Sequence, residues 1–464
     1  MQFAMNYTQA VKYLQSLEDY EKSPGVAYNA ANYDLRRMEI LLDRLGNPHK
    51  GRKTIHIAGT KGKGSTAAMI SSVLFSAGYR TGLFTSPHLV SWQERIAING
   101  QPLSQKNFAR LMALIAPHVN AVNREPRFGK LTTFEVVTAL AFLYFCEKNA
   151  EFQVIETGMG GRLDATNAVD PDICIITSVS LDHTQVLGDT LAKIAGEKAG
   201  IIKPGCVVVS APQRPEAMRV IKDKCMRSGV ELIRAGADIT WEFLESDLKM
   251  QHIRVQGKQQ TYDLKMPLLG DFQMENAAMA VAAAEVLQKR GSNIKCTDIV
   301  RGFWRVKWPA RMQILKTSPL LIVDGAHNSY SIGKITGSIN DHMSYKKAVV
   351  IFGCSRDKDV RGMAVGLSGF AYCVIITGSS HPRAAGIGQL KPVFEKAGLA
   401  VRIAPNPAKA LSTALSMAGP GDLILATGSL FLAADILKEF KKERKVGMRP
   451  PSAAKRRSRQ RVQD

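Results

Sequence analysis

A glycine-punctuated turn between an apolar strand and a helix constrains this chain more than any other stretch. It reads T-I-H-I-A-G-T-K-G-K-G-S-T from Thr54 to Thr66. Gly59, Gly62 and Gly64 lack the side chains that would keep a backbone from closing around an anion. The amides that open the next helix point into that space, and Lys63 adds a mobile positive charge. The stretch therefore predicts a phosphate-binding loop.

The fit of this turn to the general phosphate-loop pattern is imperfect. That pattern expects glycine at position 57 and a hydroxyl residue directly after the lysine. This chain has Ile57 and Gly64 there, and its hydroxyl comes one step later, at Ser65. On this stretch alone, a glycine-rich connection without a ligand remains an open alternative.

Length and composition indicate an ordinary globular protein of two or three domains, with 464 residues, 45% of them apolar and 22% charged. The longest apolar stretches, such as 136–145, are shorter than the roughly 18 residues that a membrane span needs. The amino terminus shows no basic region followed by an apolar core, so we expect no secretory signal. Seven scattered cysteines without a C-x-x-C pair fit a reduced cytoplasm, and we expect a cytoplasmic protein without a membrane contact.

More than a third of the net charge of +22 lies at the carboxyl terminus, and the rest is spread over the body of the chain. Between Lys438 and Asp464 there are eleven Lys or Arg residues against three Asp or Glu residues, with few apolar ones. Such a composition predicts a basic, disordered tail over 441–464. Because aromatic RNA-binding patches are not evident, we expect nucleic acid to be no partner beyond nonspecific tail contacts.

Apolar β-branched runs recur along the chain, each closed by glycine or a small polar residue. Runs of this kind suit strands that are buried on both faces, and the segments between many of them have helical spacing. The alternation predicts an α/β fold with parallel sheets and helices on both sides. The runs are Thr54 to Ala58, Phe152 to Ile155, Ile173 to Ser178, Val207 to Ser210, Leu320 to Val323, Ala348 to Phe352, Cys373 to Thr377 and Leu423 to Thr427.

One stretch, Glu231 to Leu264, alternates polar and apolar residues and predicts a small antiparallel sheet inserted near the end of the first domain. A boundary is predicted near Pro309, where a proline interrupts the chain before a new series of strands. We therefore expect domains at 1–306 and 307–440, followed by the tail at 441–464.

Polar residues follow several of the predicted strands, where ligands sit in open α/β sheets. Glu156 follows one strand, and a run ending in Asp182 and His183 follows the next. A carboxylate beside a phosphate loop is suited to the magnesium ion of a nucleotide. Taken alone, His183 also fits a core or capping histidine, and Ser86 in T-S-P-H-L also fits a turn residue.

These residues belong to a series of ordered motifs that runs from Tyr33 to about Leu437. The motifs are H-I-A-G-T-K-G-K-G-S, T-S-P-H-L, E-R-I-A-I-N-G, T-T-F-E, E-T-G-M-G-G-R-L-D-A-T-N, D-H-T-Q-V-L-G, G-E-K-A-G-I-I-K, D-G-A-H-N, D-K-D and T-G-S-L-F-L. In these motifs the chain resembles the folylpolyglutamate synthase and dihydrofolate synthase family, relatives of the Mur cell-wall ligases. The resemblance implies a P-loop NTPase-like amino-terminal domain and a smaller, Rossmann-like carboxyl-terminal domain.

The resemblance also implies roles for particular residues. Lys198 looks like the family's carbamylated lysine, although a solvent-facing helix lysine is the plain alternative, and Phe134 fits helix core nearly as well as a pterin contact. The implied catalytic residues are Lys63, Lys198, His183, Asp324 and His327. The implied ATP contacts are Gly62, Lys63, Gly64, Ser65, Asn276, Arg311 and Asp324. The implied ligands of two magnesium ions include Ser86, Glu156 and His183. The implied pterin contacts are Thr132, Thr133, Phe134, Glu135, Leu163, Asp164 and Ala165.

Two departures from the family pattern concern the hinge and the edge of the nucleotide pocket. The family usually reads P-G-R before the second domain, whereas this chain has Ala310 in place of the glycine. Phe272 stands where the family often has His or Pro. The basic tail lies outside the family pattern.

The resemblance implies an ATP-dependent ligase that joins L-glutamate to dihydropteroate, to a reduced folate or to both, through an acyl phosphate. We favour the bifunctional enzyme, acting as a monomer, with a second magnesium ion near Lys198 supporting the attack by glutamate. Two alternatives remain at this point: a Mur-type or other amino-acid ligase acting on a different acid, and a nucleotide-binding, RNA-associated protein.

Overall fold

The structure is a computed structural model that describes residues 5–19, 33–125, 129–182 and 184–447. The strands are β1 (Lys53–Ala58), β2 (Thr81–Phe84), β3 (Ile96–Ile98), β4 (Gln101–Pro102), β5 (Phe152–Glu156), β6 (Ile173–Ile176), β7 (Val207–Ser210), β8 (Leu232–Arg234), β9 (Thr240–Ser246), β10 (Gln251–Gln256), β11 (Thr261–Met266), β12 (Gln313–Thr317), β13 (Leu320–Val323), β14 (Ala348–Phe352), β15 (Cys373–Ile376), β16 (Val401–Ile403) and β17 (Leu423–Thr427).

The helices alternate with these strands over much of the chain. They are α1 (Tyr7–Gln15), α2 (Leu35–Arg44), α3 (Lys63–Ser76), α4 (Gln105–Asn123), α5 (Thr133–Glu147), α6 (Thr184–Leu187), α7 (Leu191–Ala199), α8 (Pro215–Ser228), α9 (Asp271–Lys289), α10 (Cys296–Arg305), α11 (Ser329–His342), α12 (Val360–Ser368), α13 (Ile387–Lys396), α14 (Pro407–Met417) and α15 (Leu430–Gly447).

The chain divides into two compact units. The first is Met1–Ile314 with Asn328–Ser344, and the second is Leu315–His327 with Tyr345–Asp464. The predicted boundary at 306/307 thus differs from this division, in which the chain changes unit more than once. Likewise, α15 continues to Gly447, past the predicted tail start at 441. The rest of that predicted tail, 448–464, lies outside the described residues.

The first unit contains an eight-stranded, mainly parallel sheet. Its strand order is β4-β3-β2-β5-β1-β6-β7-β8, and only β3 runs antiparallel to its neighbours. The central strands are buried almost throughout, because helices cover both faces of the sheet. The predicted α/β architecture is therefore confirmed.

The core of the first unit lies on both faces of this sheet. On one face, α3, α9 and α10 pack with the apolar side of a separate small sheet. On the other face, α1, α2, α4 and α5 surround a cluster rich in phenylalanine, and α7 and α8 cover the region beside β6 and β7. The phosphate-loop region therefore begins from a strand that is held at the centre of a rigid layer.

The small antiparallel sheet has the order β11-β10-β9. On β10 and β11 buried and exposed residues alternate, as the polar–apolar pattern predicted. The predicted span began too early, because Leu232–Arg234 pairs in parallel with β7 and forms the edge of the large sheet.

The second unit contains a six-stranded sheet with the order β12-β13-β17-β14-β15-β16. The pairs from β13 through β16 are parallel, and β13, β14, β15 and β17 are buried along their whole length. This is the second, smaller α/β sheet that was predicted. Across the described parts of the chain, we find no helix with the length and apolar character to cross a membrane.

Candidate active site

The phosphate loop follows β1, and α3 begins at Lys63 directly after Gly62. A Cβ atom on Gly59 would lie 1.7 Å from Thr177 Oγ1, and one on Gly62 would lie 2.4 Å from Asn276 Oδ1. Gly62 also has φ +92°, a conformation that side chains rarely adopt. Two loop glycines are therefore required by close packing, in addition to any ligand.

A buried carboxylate faces this loop. Glu156 ends β5, and the parallel register of β1 and β5 places it opposite Ile57. Its Oε1 lies 3.8 Å from Lys63 Nζ, and its Oε2 accepts a hydrogen bond from the Ser86 backbone N–H at 3.2 Å. Burial raises the pKa of Glu156, while the Lys63 charge opposes that change. The arrangement concentrates opposite charges where a phosphate and its cation would sit.

The donors at this point suit magnesium. Glu156 supplies buried carboxylate oxygens, and the partly buried Ser86 supplies a hydroxyl two residues beyond the strand end of β2. Mg²⁺ prefers oxygen ligands and keeps several waters or phosphates, so a small protein donor set is sufficient. The third predicted ligand, His183, lies outside the described residues. Among the residues that are described, no cluster of three His, Cys, Asp or Glu side chains forms a metal site.

Lys198 lies in the last turn of α7 and is buried, with 3% of its surface exposed. Its Nζ donates a hydrogen bond to the Gly59 carbonyl at 2.9 Å, and Lys63 Nζ donates to the same carbonyl at 3.3 Å. Burial, with the nearby Lys63 charge, lowers the pKa of Lys198 to about 7. The alternative of a solvent-facing lysine is therefore excluded.

Helix α9 supports the phosphate loop from the other side. Asn276 accepts a hydrogen bond from Thr66 Oγ1 at 3.3 Å and donates to Gln273 Oε1 at 2.9 Å. Gln273 Nε2 donates to Ser65 Oγ at 3.5 Å. Of the predicted ATP residues, Asn276 thus lies beside Gly62, and the Arg311 charge acts on Glu156.

A second loop lysine makes an ion pair that the sequence analysis did not identify. Lys61 Nζ lies 2.8 Å from Asp182 Oδ2, and both side chains are largely buried. The backbone N–H of Thr60 also donates to the Ser178 carbonyl at 2.8 Å. The phosphate loop is thereby fastened to the segment that ends at Asp182.

Three of the predicted pterin contacts have partners within the fold. Thr132 caps α5, and its backbone N–H donates to Glu135 Oε2 at 2.7 Å, forming a capping box. Glu135 Oε1 also lies 2.6 Å from Arg37 Nε in a buried ion pair, and burial raises the pKa of Glu135. Thr133 Oγ1 donates to the Leu14 carbonyl at 3.2 Å. These contacts give the three residues a structural role that is independent of any substrate.

Phe134 differs from its neighbours because it is only partly buried. A Cβ atom on Gly158 would lie 2.5 Å from the Phe134 ring, so the missing side chain allows the ring to lie against this glycine loop. The Phe84 ring centroid lies 5.9 Å away. Phe134 therefore presents an aromatic surface beside the loop that begins at Glu156.

Asp164 holds that loop closed. Its Oδ2 accepts from the Met159 N–H at 2.9 Å, and its Oδ1 accepts from both the N–H and the hydroxyl of Thr166. Burial raises the pKa of Asp164, and these hydrogen bonds oppose that change. Leu163 is partly buried and Ala165 is buried beside it.

Asp324 and His327 belong to the second unit, directly after β13. Asp324 Oδ1 accepts from the Ala326 N–H at 2.7 Å, and His327 Nδ1 lies 2.8 Å from the Gly325 carbonyl. The loop is further held by the Gly428 N–H, which donates to the Ala326 carbonyl at 2.9 Å. Both residues thus stand on an ordered turn at the carboxyl edge of the second sheet.

Other residues near the loop carried little signal in the sequence. Trp308 packs so closely on Gly64 that a Cβ atom there would lie 2.8 Å from the indole ring. Lys61 was visible inside the glycine turn, but its partner Asp182 is distant in sequence. Arg37 and His56 have buried polar contacts that composition and spacing do not reveal.

The phosphate loop, the buried carboxylate and the second α/β unit define a nucleotide-dependent ligase class. The chain matches the family model "Mur ligase middle domain" over residues 57–284 and the model "Mur ligase, glutamate ligase domain" over residues 310–430. These two matches, in this order, identify the chain as an ATP-dependent ligase of the Mur type.

Curated relatives and solved structures narrow this class. Dihydrofolate synthase/folylpolyglutamate synthase of Bacillus subtilis is 35% identical over 412 residues, covering 88% of this chain and 95% of its own. Folylpolyglutamate synthase of Mycobacterium tuberculosis complexed with ADP has a TM-score of 0.86 at 30% identity, covering 96% and 99%. The structure of E. coli FolC in complex with DHPP and ADP has a TM-score of 0.84 at 28% identity, covering 96% and 100%. The chain belongs to the folylpolyglutamate synthase and dihydrofolate synthase family.

Proposed function

We propose that this enzyme joins L-glutamate to a pterin carboxylic acid with cleavage of ATP to ADP and phosphate, and that it accepts both dihydropteroate and reduced folates. The observation that supports this most directly is the 3.8 Å approach of Lys63 Nζ to the buried Glu156 carboxylate, within a glycine loop at the start of α3. A site of this kind serves phosphoryl transfer, because it opposes charge on phosphate oxygens.

The reaction begins with the acid substrate. A carboxylate oxygen is too poor a leaving group for amide formation, so the carboxylate attacks the terminal phosphoryl group of ATP and ADP leaves. Lys63 and the amides of Gly64 and Ser65 stabilise charge on the transferring phosphate. The glutamate amine then attacks the acyl phosphate, and phosphate leaves as the amide forms and the amine loses its proton.

Glu156 and Ser86, with His183, are the residues that would hold magnesium. When bound, the ion neutralises charge on the phosphate oxygens of ATP. Burial raises the pKa of Glu156, and a divalent ion would favour the ionised carboxylate. Glu156 therefore acts by keeping a hard oxygen anion beside the phosphate loop.

We propose that Lys198 carries a carbamate. The lowered pKa leaves a substantial fraction of this amine neutral near pH 7. A neutral amine adds to carbon dioxide and loses a proton, which converts the side chain to an anion. Because Lys198 lies beside Gly59, that anion would balance the positive charge of Lys63.

The acidic amino acid needs cations for its carboxylates, and two loops of the second unit carry basic residues. The loops after β14 and β15 are joined where the Arg356 N–H donates to the Arg383 carbonyl at 2.9 Å. Lys358 stands on the first of these loops, and Arg383 Nε is buried without a hydrogen-bond partner among the described residues. We propose that these two loops bind glutamate, and that Asp324 and His327 act at the end of β13, which β17 separates from β14 in the same sheet.

Substitution of Lys63 tests the phosphoryl-transfer site. Phosphate release is measured with glutamate and either dihydropteroate or tetrahydrofolate as the acid. Lys63→Ala should lower the rate by at least about 100-fold, while Lys193→Ala, an exposed lysine on α7, should leave it unchanged. Activity close to that of the unaltered enzyme in Lys63→Ala would contradict the role of Lys63.

The acids that the enzyme accepts decide whether it has dihydrofolate synthase activity, folylpolyglutamate synthase activity or both. Turnover with both acids supports the bifunctional enzyme, and turnover with only one assigns a single activity. No turnover with either, but turnover with another carboxylic acid, would support a different amino-acid ligase. We also propose that the enzyme is a cytoplasmic monomer that needs no nucleic acid; truncation after Gly447 should leave turnover intact, and light scattering gives the oligomeric state.

A further inference from the structure

A chain of three buried polar side chains connects β1 with the loop that follows β5. His56 lies on β1 with none of its surface exposed, and its Nε2 lies 2.8 Å from Thr166 Oγ1. Thr166 is also fully buried, and its hydroxyl and backbone N–H both bond Asp164 Oδ1. None of the roles assigned above uses His56 or Thr166.

The direction of the hydrogen bonds in this chain follows from counting protons. The Thr166 hydroxyl has a single proton, which it donates to the Asp164 carboxylate. Its oxygen must then accept from His56, so Nε2 carries the imidazole proton and Nδ1 does not. His56 Nδ1 is buried without a hydrogen-bond partner among the described residues, and an unpaired acceptor is easier to accommodate than an unpaired N–H.

Asp164, the last residue in this series of hydrogen bonds, holds a segment that borders the proposed pterin site. Asp164 accepts from the Met159 N–H on the loop where Gly158 lies against Phe134. The same loop begins at Glu156, whose strand is fixed independently by its pairing with β1. Loss of the hydrogen bonds among His56, Thr166 and Asp164 should therefore loosen the loop after β5, which borders the acid substrate, more than the phosphate loop.

We infer that His56 and Thr166 are positioning residues that orient Asp164 and its loop for the acid substrate. In this arrangement His56 Nε2–H donates to Thr166 Oγ1, and the Thr166 hydroxyl donates to the Asp164 carboxylate. This inference rests on the proposed function, since it names the part of that site which the chain serves. Burial lowers the pKa of His56 to about 3, so the imidazole stays neutral over the working pH range.

Two variants at one position provide a matched test. Thr166→Val keeps the shape of the side chain and removes the hydroxyl, whereas Thr166→Ser keeps the hydroxyl. Thr166→Val should raise the KM for the pterin acid about tenfold, the effect expected for one buried hydrogen bond. The KM for ATP should change less than about twofold, and Thr166→Ser should stay near the unaltered enzyme.

Nitrogen-15 NMR of histidine-labelled enzyme tests the direction of these hydrogen bonds without any substitution. The inferred direction requires His56 to be a neutral imidazole protonated at Nε2. Observation of the Nδ1–H form would overturn it, as would unchanged KM values in Thr166→Val or an equal rise in both. If the unaltered enzyme shows no turnover with either pterin acid, the proposed function fails and the positioning role fails with it. In that case the NMR spectrum still reports which nitrogen of His56 carries the proton, and so the direction of the hydrogen bonds to Thr166 and Asp164.

Discussion

Lys198 donates a hydrogen bond to the carbonyl of Gly59, so the end of α7 contacts the first residue of a loop 139 positions earlier in the chain. The contact has a chemical consequence, because Lys63 donates to the same carbonyl and its charge disfavours a second ammonium group. Burial and this nearby charge lower the pKa of Lys198 to about 7, which makes Lys198 a reactive amine at neutral pH.

The first prediction concerns Lys198 and pH. Because its pKa is lowered to about 7 in the folded state, the folded protein binds fewer protons than the unfolded chain between about pH 7 and the ordinary lysine value of 10.5. The free energy of unfolding should therefore rise with pH across that window, and Lys198→Met should remove that part of the slope. Urea unfolding at pH 7 and pH 9 measures it in buffers free of carbon dioxide, in which the Lys198 amine carries no carbamate, with Lys193→Met as the exposed control.

The second prediction concerns the ion pair of Lys61 and Asp182. Its side chains are 20% and 11% exposed, so we expect a double-mutant cycle with Lys61→Met and Asp182→Asn to give a coupling of about 1–2 kcal/mol. The pair of Lys193 and Asp189 is 64% and 76% exposed and should give less than about 0.5 kcal/mol. Equal coupling in the two cycles would show that burial does not strengthen the first pair.

The third prediction concerns Arg37 and Glu135. Removing one member of a buried ion pair leaves an uncompensated charge, so Arg37→Met should lower the free energy of unfolding by about 3–5 kcal/mol. The double variant Arg37→Met/Glu135→Leu should recover much of that loss. Urea denaturation measures both. A Glu135→Gln variant that keeps full stability but has a raised KM for the pterin acid would instead assign Glu135 to substrate binding.

The fourth prediction concerns Phe134. Since its ring is partly exposed against Gly158, Phe134→Ala should raise the KM for the pterin acid about tenfold with little effect on the KM for ATP. Phe142, on the same helix, is fully buried. Phe142→Ala should instead lower stability by about 3–5 kcal/mol without separating the two KM values. A Phe134→Ala variant with an unchanged KM for the acid would assign this ring to the core.

The fifth prediction concerns Gly62. Alanine there would have φ +92° and would displace Asn276, so Gly62→Ala should raise the KM for ATP at least tenfold, in line with a strain of about 1–2 kcal/mol. Gly337→Ala is the control, since Gly337 is in α11 with nothing within 4 Å of its Cβ position. That control should stabilise the fold by about 0.5–1 kcal/mol. Steady-state kinetics at varied ATP concentration measures the KM of both variants, and urea denaturation measures their stability.

The buried strands were predictable because a continuous apolar run has one stable place in a sheet covered on both faces. Val207–Ser210 and Leu320–Val323 have the predicted bounds. Short or edge strands such as Ile96–Ile98 were not predicted, because three residues are too few to show a periodic arrangement of apolar side chains. The same limit explains Leu232–Arg234, which was assigned to the wrong sheet.

The candidate site was predictable where a local motif contains the chemistry, as in the glycine turn and at Glu156. Contacts between distant segments were not predictable, since nothing in the sequence joins Lys61 to Asp182 or His56 to Thr166.

The alanine at position 310, where the family usually has glycine, has a structural consequence. Ala310 takes φ +56°, a conformation that glycine adopts more easily. The family's usual glycine thus corresponds to a real requirement of the backbone there.

The pairing of β1 with β5 joins two segments that are far apart in the chain, since Ile57 lies opposite Glu156. During synthesis the glycine turn leaves the ribosome well before Glu156, because β1 precedes β5 in the chain. Pairing between such distant segments is slow to form. A nascent chain therefore displays the lysine-bearing turn before the Glu156 carboxylate can lie beside it.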